Sequence, residues 1–248
     1  MKETQIIILA AGHGKRMGGS IPKALVTLEG TPMMQFVVNS AQAAIARKPI
    51  AVVGYAADMV KDVFKDSCRY ALQEEQKGTG HAVMSAEGLI DDDVDTVVIL
   101  YADQPFISTA TIEKIVQCRK NRNVPLAIAT AVIEDQNLFE NQFYNFGRII
   151  RDSENSISAI VEMKDADDEQ KKVREVNPAY FCCEKKWLFD QLRTLKNDNA
   201  QGEYYLTDLV KIAFDKNLDI CSVQIGEKEA LGANTPEQLK VLESFLVK

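Results

Sequence analysis

Short aliphatic runs alternate with helical patterns through the first half of the chain, and this alternation leaves few folds open. Strands are expected at Gln5–Leu9, Ile50–Val53, Thr96–Tyr101 and Leu126–Ile133, with helices at Pro32–Arg47, Asp58–Phe64, Gly80–Leu89 and Thr109–Arg122. A β-α-β succession lays strands side by side in parallel and puts the connecting helices on both faces of the sheet. Ligands of such sheets bind beyond the carboxyl ends of the strands. The expected fold class is therefore α/β, a Rossmann-like, mostly parallel sheet flanked by helices.

From Asn145 the pattern changes to shorter alternating segments, Gly147–Arg151, Ile157–Val161 and Arg174–Cys183, which predict a small antiparallel insertion over residues 145–183. The charged stretch Lys164–Lys172 between them reads as a solvated surface loop. Helices return at Lys185–Leu195 and Tyr205–Asn217, followed by a strand at Asp219–Gln224 and a helix at Pro236–Val247. No repeat or low-complexity linker interrupts the chain. One domain over residues 1–248 is expected, with a core over 1–225 and a C-terminal helix over 236–247.

Composition narrows the partners. A net charge of −7 over 248 residues argues against a general nucleic-acid binder, whose footprint is a basic surface, but permits a local cationic pocket. No apolar run is long enough to span a bilayer, and Met1-Lys-Glu-Thr-Gln5 lacks a signal-peptide pattern, so a cytoplasmic protein is expected. Cys68, Cys118, Cys182, Cys183 and Cys221 are odd in number and lack C-x-x-C spacing. They read as reduced core thiols, with the neighbours Cys182 and Cys183 on opposite faces of a strand. The two histidines, His13 and His81, are too few for a histidine-rich metal site.

After the first strand, Ala10, Ala11, Gly12 and Gly14 keep the turn free of bulk, so that backbone N–H groups can meet an anion directly. Arg16 supplies a planar cation and Lys23 a compact one. A polyphosphate is the natural guest. The dinucleotide fingerprint fails, because Met17 stands where a small residue is needed and Ile50–Gly54 ends without a ribose-binding carboxylate. The Walker pattern fails too, since Gly-Lys-Ser/Thr is absent. A surface loop with incidental charges remains an open alternative for this segment.

Asp103 ends the strand Thr96–Tyr101 on the same sheet edge, where a carboxylate suits a hard cation. Mg²⁺ takes oxygen ligands, keeps several waters and bridges one or two protein groups to substrate phosphates, and Asn234 is a candidate second ligand. Each residue could instead cap a helix, Asp103 the one near Ser108 and Asn234 the last.

Together the motifs resemble the sugar nucleotidyltransferases, most closely the uridylyltransferase domain of the bacterial N-acetylglucosamine-1-phosphate uridylyltransferase family. The resemblance rests on Leu9-Ala-Ala-Gly-His-Gly-Lys-Arg-Met17, Pro22-Lys23, Gln73-Glu-Glu-Gln-Lys-Gly-Thr-Gly-His-Ala82, Tyr101-Ala-Asp103, Phe146-Gly-Arg-Ile149, Ile160-Val-Glu162 and Asn199-Ala-Gln-Gly-Glu-Tyr-Tyr-Leu-Thr-Asp208. It implies the nucleotide-diphospho-sugar transferase type of fold, with UTP and a sugar-1-phosphate as partners and Mg²⁺ as cofactor. It further implies that Leu9, Ala10, Ala11 and Gly12 hold the nucleotide, that Arg16 and Lys23 act on its phosphates, and that Gln73, Gln76, Gly78 and Thr79 read uracil. Tyr101, Ala102, Gly147, Glu162, Asn177, Tyr205 and Thr207 would line the sugar side, and Asp103 and Asn234 would hold the metal. His81 is expected to support its loop.

The chain departs from the family on the sugar side. Ala102 stands where glycine is usual, and Asn177-Pro178-Ala179 replaces an Asn-Thr-Gly type of stretch, costing an N–H at Pro178 and adding a methyl where an unusual φ is allowed for. Lys15 replaces the threonine usual before the loop arginine. The expected reaction gives UDP-N-acetylglucosamine and pyrophosphate. A noncatalytic nucleotide-sugar binding protein and a nucleotidyltransferase for another sugar or base are the alternatives. The acetyltransferase β-helix of the full bacterial enzymes is not expected.

Overall fold

The first strand, β1 (Thr4–Leu9), is apolar on both faces, with Ile6 and Ile8 in one buried cluster and Ile7 in the other. This alternation makes it central, because only a strand covered on both sides can bury every side chain. The computed structural model describes residues 3–19 and 21–246.

After β1 come a short hairpin, β2 (Thr27–Leu28) and β3 (Thr31–Pro32), then α1 (Met33–Ala44), β4 (Ile50–Val53), α2 (Ala57–Phe64) and β5 (Arg69–Leu72). Next are α3 (Thr79–Met84), β6 (Thr96–Tyr101), α4 (Thr109–Arg122), β7 (Leu126–Val132) and α5 (Gln136–Leu138), which runs into a π-helical turn at Phe139–Phe143. The chain continues through β8 (Arg148–Arg151), β9 (Ile157–Val161), β10 (Glu175–Val176), β11 (Phe181–Glu184), α6 (Lys185–Leu192) and α7 (Asp208–Asp215). It closes with β12 (Ile220–Gln224), α8 (Glu227–Ala230) and α9 (Pro236–Ser244). Val247, the expected end of the last helix, lies outside the described residues.

One ten-stranded sheet runs β5-β4-β1-β6-β11-β7-β10-β8-β9, with β12 also paired to β7. β4, β1 and β6 are parallel neighbours, as the β-α-β reading requires. The edge strand β5 was not expected; Arg69 and Tyr70 are partly exposed, so the segment lacks the continuous aliphatic signature of its neighbours.

The expected strand Arg174–Cys183 is two strands. Pro178 carries no N–H for a ladder, and Ala179 adopts a left-handed φ of 64°, so pairing stops between β10 and β11. β10 stays with the antiparallel β8–β9 hairpin, while β11 enters the main sheet antiparallel to both β6 and β7. Cys182 and Cys183 face opposite cores, as strand alternation demands. The helix expected over Gly80–Leu89 ends at Met84, and a 3-10 turn covers Glu87–Leu89. Likewise α7 begins at Asp208 rather than Tyr205, because Leu206 and Thr207 form a turn before it and Leu206 N bonds to the Thr79 hydroxyl.

The cysteine reading needs a correction. Cys118 on α4 and Cys221 on β12 are joined by a disulfide, with Cα atoms 6.1 Å apart. These residues lie 103 positions apart, and only the packing of α4 on β12 brings them together. Cys68, Cys182 and Cys183 are free and buried, and burial pushes the Cys68 and Cys182 thiols up to about 12. Among the described residues, no helix is long and apolar enough to cross a membrane.

Candidate active site

Asp103 and Asn234 are not helix caps. Ser108 caps α4, accepting from Thr111 N at 3.1 Å, and Thr235 caps α9, accepting from Gln238 N at 3.3 Å. The side chains of Asp103 and Asn234 turn instead to the glycine loop. The Lys23 ammonium donates to the Asp103 carboxylate and, at 2.6 Å, to Asn234 Oδ1, to which Arg16 Nη2 also donates at 3.2 Å. Two cations, a carboxylate and an amide oxygen thus converge from distant parts of the chain. Asp103 and Asn234 supply two hard oxygen donors, and no cluster of three or more His, Cys, Asp or Glu suited to a metal occurs among the described residues. Such a pair suits a cation that completes its shell with water and phosphate oxygens, and Mg²⁺ has that habit.

The glycine loop is held close to the sheet. Ala10 N donates to Val52 O at 2.9 Å, continuing the β1–β4 ladder, and Lys23 N returns to Gly12 O at 3.3 Å. Ala10 and Ala11 are buried, while Gly14 and Gly18 take positive φ values as the loop turns around Arg16. The incidental-loop alternative does not fit this anchoring.

A cavity of about 320 Å³ opens above the loop, walled by Leu9, Ala10, Ala11 and Gly12 on one side and by Gln73, Gln76, Gly78 and Thr79 on the other. Tyr101, Ala102 and Asp103 form its floor together with Lys23 and Asn234. Gln73 is 4% exposed; its Nε2 donates to Gly78 O at 3.1 Å and faces His81 Nδ1 at 3.1 Å. His81 therefore braces this segment. Gln76 Nε2 reaches Ala11 O at 2.5 Å and ties the two walls together. Gly78 is required sterically: φ is 105°, and a Cβ would stand 2.7 Å from Tyr204 O. Tyr204 N donates to Lys77 O and Gly80 N to Tyr204 O, both at 2.8 Å, so residues 201–208 lie against this wall.

A second cavity of about 230 Å³ adjoins the first, and Thr79, Tyr101, Asp103, Glu203 and Asn234 line both. Gly147, Glu162, Asn177, Tyr205 and Thr207 belong to the second. Thr207 Oγ1 donates to Glu162 at 3.0 Å, and desolvation holds the Glu162 carboxyl above its usual range, with Asp165, Asp208 and Glu203 adding repulsion. Desolvation also raises the Tyr101 hydroxyl, and the Glu162 carboxylate contributes. Gly147 is no mere turn residue, because a Cβ there would lie 2.8 Å from Ile160 and 3.6 Å from the Glu162 oxygens. Asn177 Oδ1 accepts from Ala179 N at 2.9 Å, an Asx turn that supports the left-handed Ala179.

The structure brings every residue proposed to bind nucleotide, sugar or metal to these two cavities except Arg16, which sits exposed beside Asn234 at their rim; Ala102, expected on the sugar side, lines the first cavity and not the second. It also adds Gln104, Gln142, Asn145, Gln201 and Gln238 to the second cavity. Gln104 follows Asp103 directly, and its position at a strand end was a usable signal. Gln142 sits on the π-helical turn, where the Phe143 carbonyl and, just beyond it, those of Tyr144 and Phe146 accept from the buried Arg148 guanidinium, and nothing local in the sequence marks it.

Comparisons with known proteins agree with this architecture. Residues 6–211 match the MobA-like NTP transferase domain. The chain is 38% identical over 242 residues to the "Bifunctional protein GlmU" of Thermoanaerobacter pseudethanolicus, covering 98% of this chain and 51% of that protein. It is 40% identical over 240 residues to the protein of the same name from Cupriavidus pinatubonensis, covering 96% and 51%. The chain thus spans about half the length of the curated relatives it matches. A structure of CMP:2-keto-3-deoxy-manno-octonic acid synthetase complexed with CTP superposes with a TM-score of 0.71 at 15% identity, covering 99% of this chain and 98% of that one. This last likeness speaks for the fold, that of the nucleotide-diphospho-sugar transferases. With the match extending over most of its length and the glycine loop and sheet arranged as they are, the chain belongs to the MobA-like NTP transferase domain family.

Proposed function

We propose that the chain is one nucleotidyltransferase domain that forms a UDP-sugar, UDP-N-acetylglucosamine, and pyrophosphate from UTP and a sugar-1-phosphate. The observation that carries this reading is the shared wall of the two cavities at Asp103 and Asn234, beside Lys23. A nucleotide in the first cavity and a sugar phosphate in the second meet at that wall with their phosphates together.

The attacking sugar phosphate is already an anion, so the reaction asks for alignment and charge compensation more than for a base. Lys23 and Arg16 offset phosphate charge at the meeting point. Leu9 to Gly12 present backbone to the nucleotide, and Gln73 with Gly78 and Thr79 meets the base. Asp103 and Asn234 are the residues that would hold Mg²⁺. Bound there, a divalent cation supplies further neutralisation of phosphate oxygens. Glu162, Asn177, Tyr205 and Thr207 position the sugar hydroxyls. The 38–40% identity to proteins named GlmU supports uridylyl transfer over other members of the family.

The test is pyrophosphate release by the purified chain with Mg²⁺, crossing UTP and CTP against N-acetylglucosamine-1-phosphate and glucose-1-phosphate. Release with UTP and N-acetylglucosamine-1-phosphate is expected. Nucleotide binding without release from any pair would replace the reading with a noncatalytic nucleotide-sugar binder.

A further inference from the structure

The two residues proposed to hold the metal sit at one end of a pair of antiparallel segments that lie outside the sheet. Asp103 opens the first, residues 103–108, which leads from β6 into α4, and Asn234 closes the second, residues 229–234, which leads from α8 toward α9. Ala233 N donates to Asp103 O at 3.2 Å, and among the described residues this is the one backbone bond between the segments. Pro105 has no N–H to extend a ladder. In the middle the segments are in close contact, for a Cβ at Gly232 would stand 3.0 Å from Gln104 Cγ and 3.2 Å from Asp103 O.

At the far end the fastening is a side chain. The Glu229 carboxylate accepts from Ser108 N at 3.3 Å and from Ser108 Oγ at 3.2 Å, at the residue that caps α4. Bonds to an ionised acceptor are the stronger kind. The backbone of Glu229 is pinned as well: its carbonyl accepts from Tyr180 OH at 2.8 Å. Tyr180 is fully buried, and its own carbonyl accepts from Ala129 N of β7 at 3.0 Å, so the main sheet anchors this end. Glu229, Ser108 and Tyr180 line neither cavity.

We propose that Glu229 is a positioning residue: it fixes the second segment against the first, and so sets the separation of the Asp103 and Asn234 side chains. The one backbone bond at Asp103 leaves the segments free to pivot about it, and the Glu229–Ser108 contact at the other end removes that freedom. Mg²⁺ demands near-ideal octahedral geometry at short distances, whereas Ca²⁺ accepts longer and looser shells. A pair held at one separation therefore favours the smaller ion. This inference rests on the metal reading of Asp103 and Asn234 and assigns the device that gives the site its choice of cation.

The experiment uses the full chain with Glu229→Ala, Glu229→Gln and Tyr180→Phe. Calorimetric affinities for Mg²⁺ and Ca²⁺ are measured with a non-hydrolysable UTP analogue, corrected for cation binding by the analogue alone, alongside turnover and thermal stability. Glu229→Ala is expected to lower Mg²⁺ affinity by roughly tenfold or more and Ca²⁺ affinity by about twofold at most, so the preference for Mg²⁺ falls about fivefold. Glu229→Gln keeps an oxygen for Ser108 and should restore most of that preference. At saturating Mg²⁺ the KM values of both substrates should stay within about twofold while kcat falls. Tyr180→Phe removes a single hydroxyl and should shift the preference the same way; it decides the matter if Glu229→Ala does not fold. A role in folding alone predicts a lower Tm with the preference intact, and would overturn the proposal. Wild-type cation binding with a preference indifferent to these residues would remove this inference and leave the metal reading standing. A wild type that binds neither cation beyond the share of the analogue would take away both.

Discussion

The ammonium of Lys23 is ion-paired with the carboxylate of Asp103 in the lining of the first cavity, with both side chains less than one-fifth exposed. Together with the 2.6 Å bond to Asn234 Oδ1, this places a fixed positive charge between the two oxygens proposed to hold the metal. A metal ion entering alone must displace that charge, and Mg²⁺ dehydrates reluctantly. Metal and nucleotide should therefore bind together, the phosphates drawing the ammonium away from Asp103. Replacing Lys23 by Met should strengthen Mg²⁺ binding to the nucleotide-free protein while lowering turnover by about 10²–10³-fold. Asp103→Asn should lose both metal binding and turnover with the fold intact. Magnesium titration by calorimetry, set against pyrophosphate release, measures these effects; unchanged nucleotide-free affinity in Lys23→Met would remove the competition.

The orientation of Gln73 predicts base selectivity. Its Nε2 is committed to Gly78 O and faces His81 Nδ1, so the amide leaves Oε1 as the atom available to a base. Uracil carries N3–H and meets an acceptor; cytosine carries a bare N3 and does not. His81→Leu removes one of the two anchors. The ratio of kcat/KM for UTP over CTP should then fall by about tenfold, with the sugar-phosphate KM little changed. An unaltered ratio would mean that Gly78 alone fixes the amide.

The central sheet was readable because its strands carry their own pattern. Ile6, Ile7 and Ile8 alternate between two cores, and a run apolar on both faces has one place to go. What the pattern hid is where β11 goes: Arg174–Cys183 reads as part of the antiparallel insertion, but Phe181, Cys182 and Cys183 are fully buried in the main sheet, antiparallel between β6 and β7. The metal roles proposed for Asp103 and Asn234 rest on resemblance, since read alone each fits helix capping better, Asp103 at the helix near Ser108 and Asn234 at the last helix. Gln142 was out of reach because nothing local in the sequence marks a residue on the π-helical turn, whereas Gln104, directly after Asp103 at a strand end, was within reach.

The Cys118–Cys221 disulfide should matter for stability and not for chemistry. It closes a loop of 103 residues between α4 and β12, and neither cysteine lines either cavity. Constraining a loop of that length stabilises a fold by about 2–5 kcal/mol. Reduction, or Cys118→Ala, should lower Tm measurably, with kcat and both KM values unchanged at 25 °C. Thermal melts with and without a reducing agent check this, and Cys68→Ala serves as the control for a buried free thiol.

Glu162 should couple stability to pH in a direction opposite to that of an ordinary paired carboxylate. Desolvation raises its carboxyl above the usual value of 4.5, and Asp165, Asp208 and Glu203 reinforce the shift, while Thr207 opposes it. A carboxyl raised in the folded state holds its proton more tightly there than in the unfolded chain. Below the unfolded value both states are protonated and Glu162 imposes no charge penalty. As pH rises through the unfolded value toward the folded one, the unfolded chain ionises first and stability is lost. Glu162→Gln abolishes this loss and keeps an oxygen for Thr207 to donate to, so its Tm should exceed that of the wild type at pH 7.5. The advantage should vanish as pH falls below about 4.5. Sugar-phosphate affinity should drop in the same variant, because Glu162 lines the second cavity and Thr207 occupies only one of its acceptor positions. A Tm difference independent of pH would show that Glu162 is charged at no cost in the folded protein.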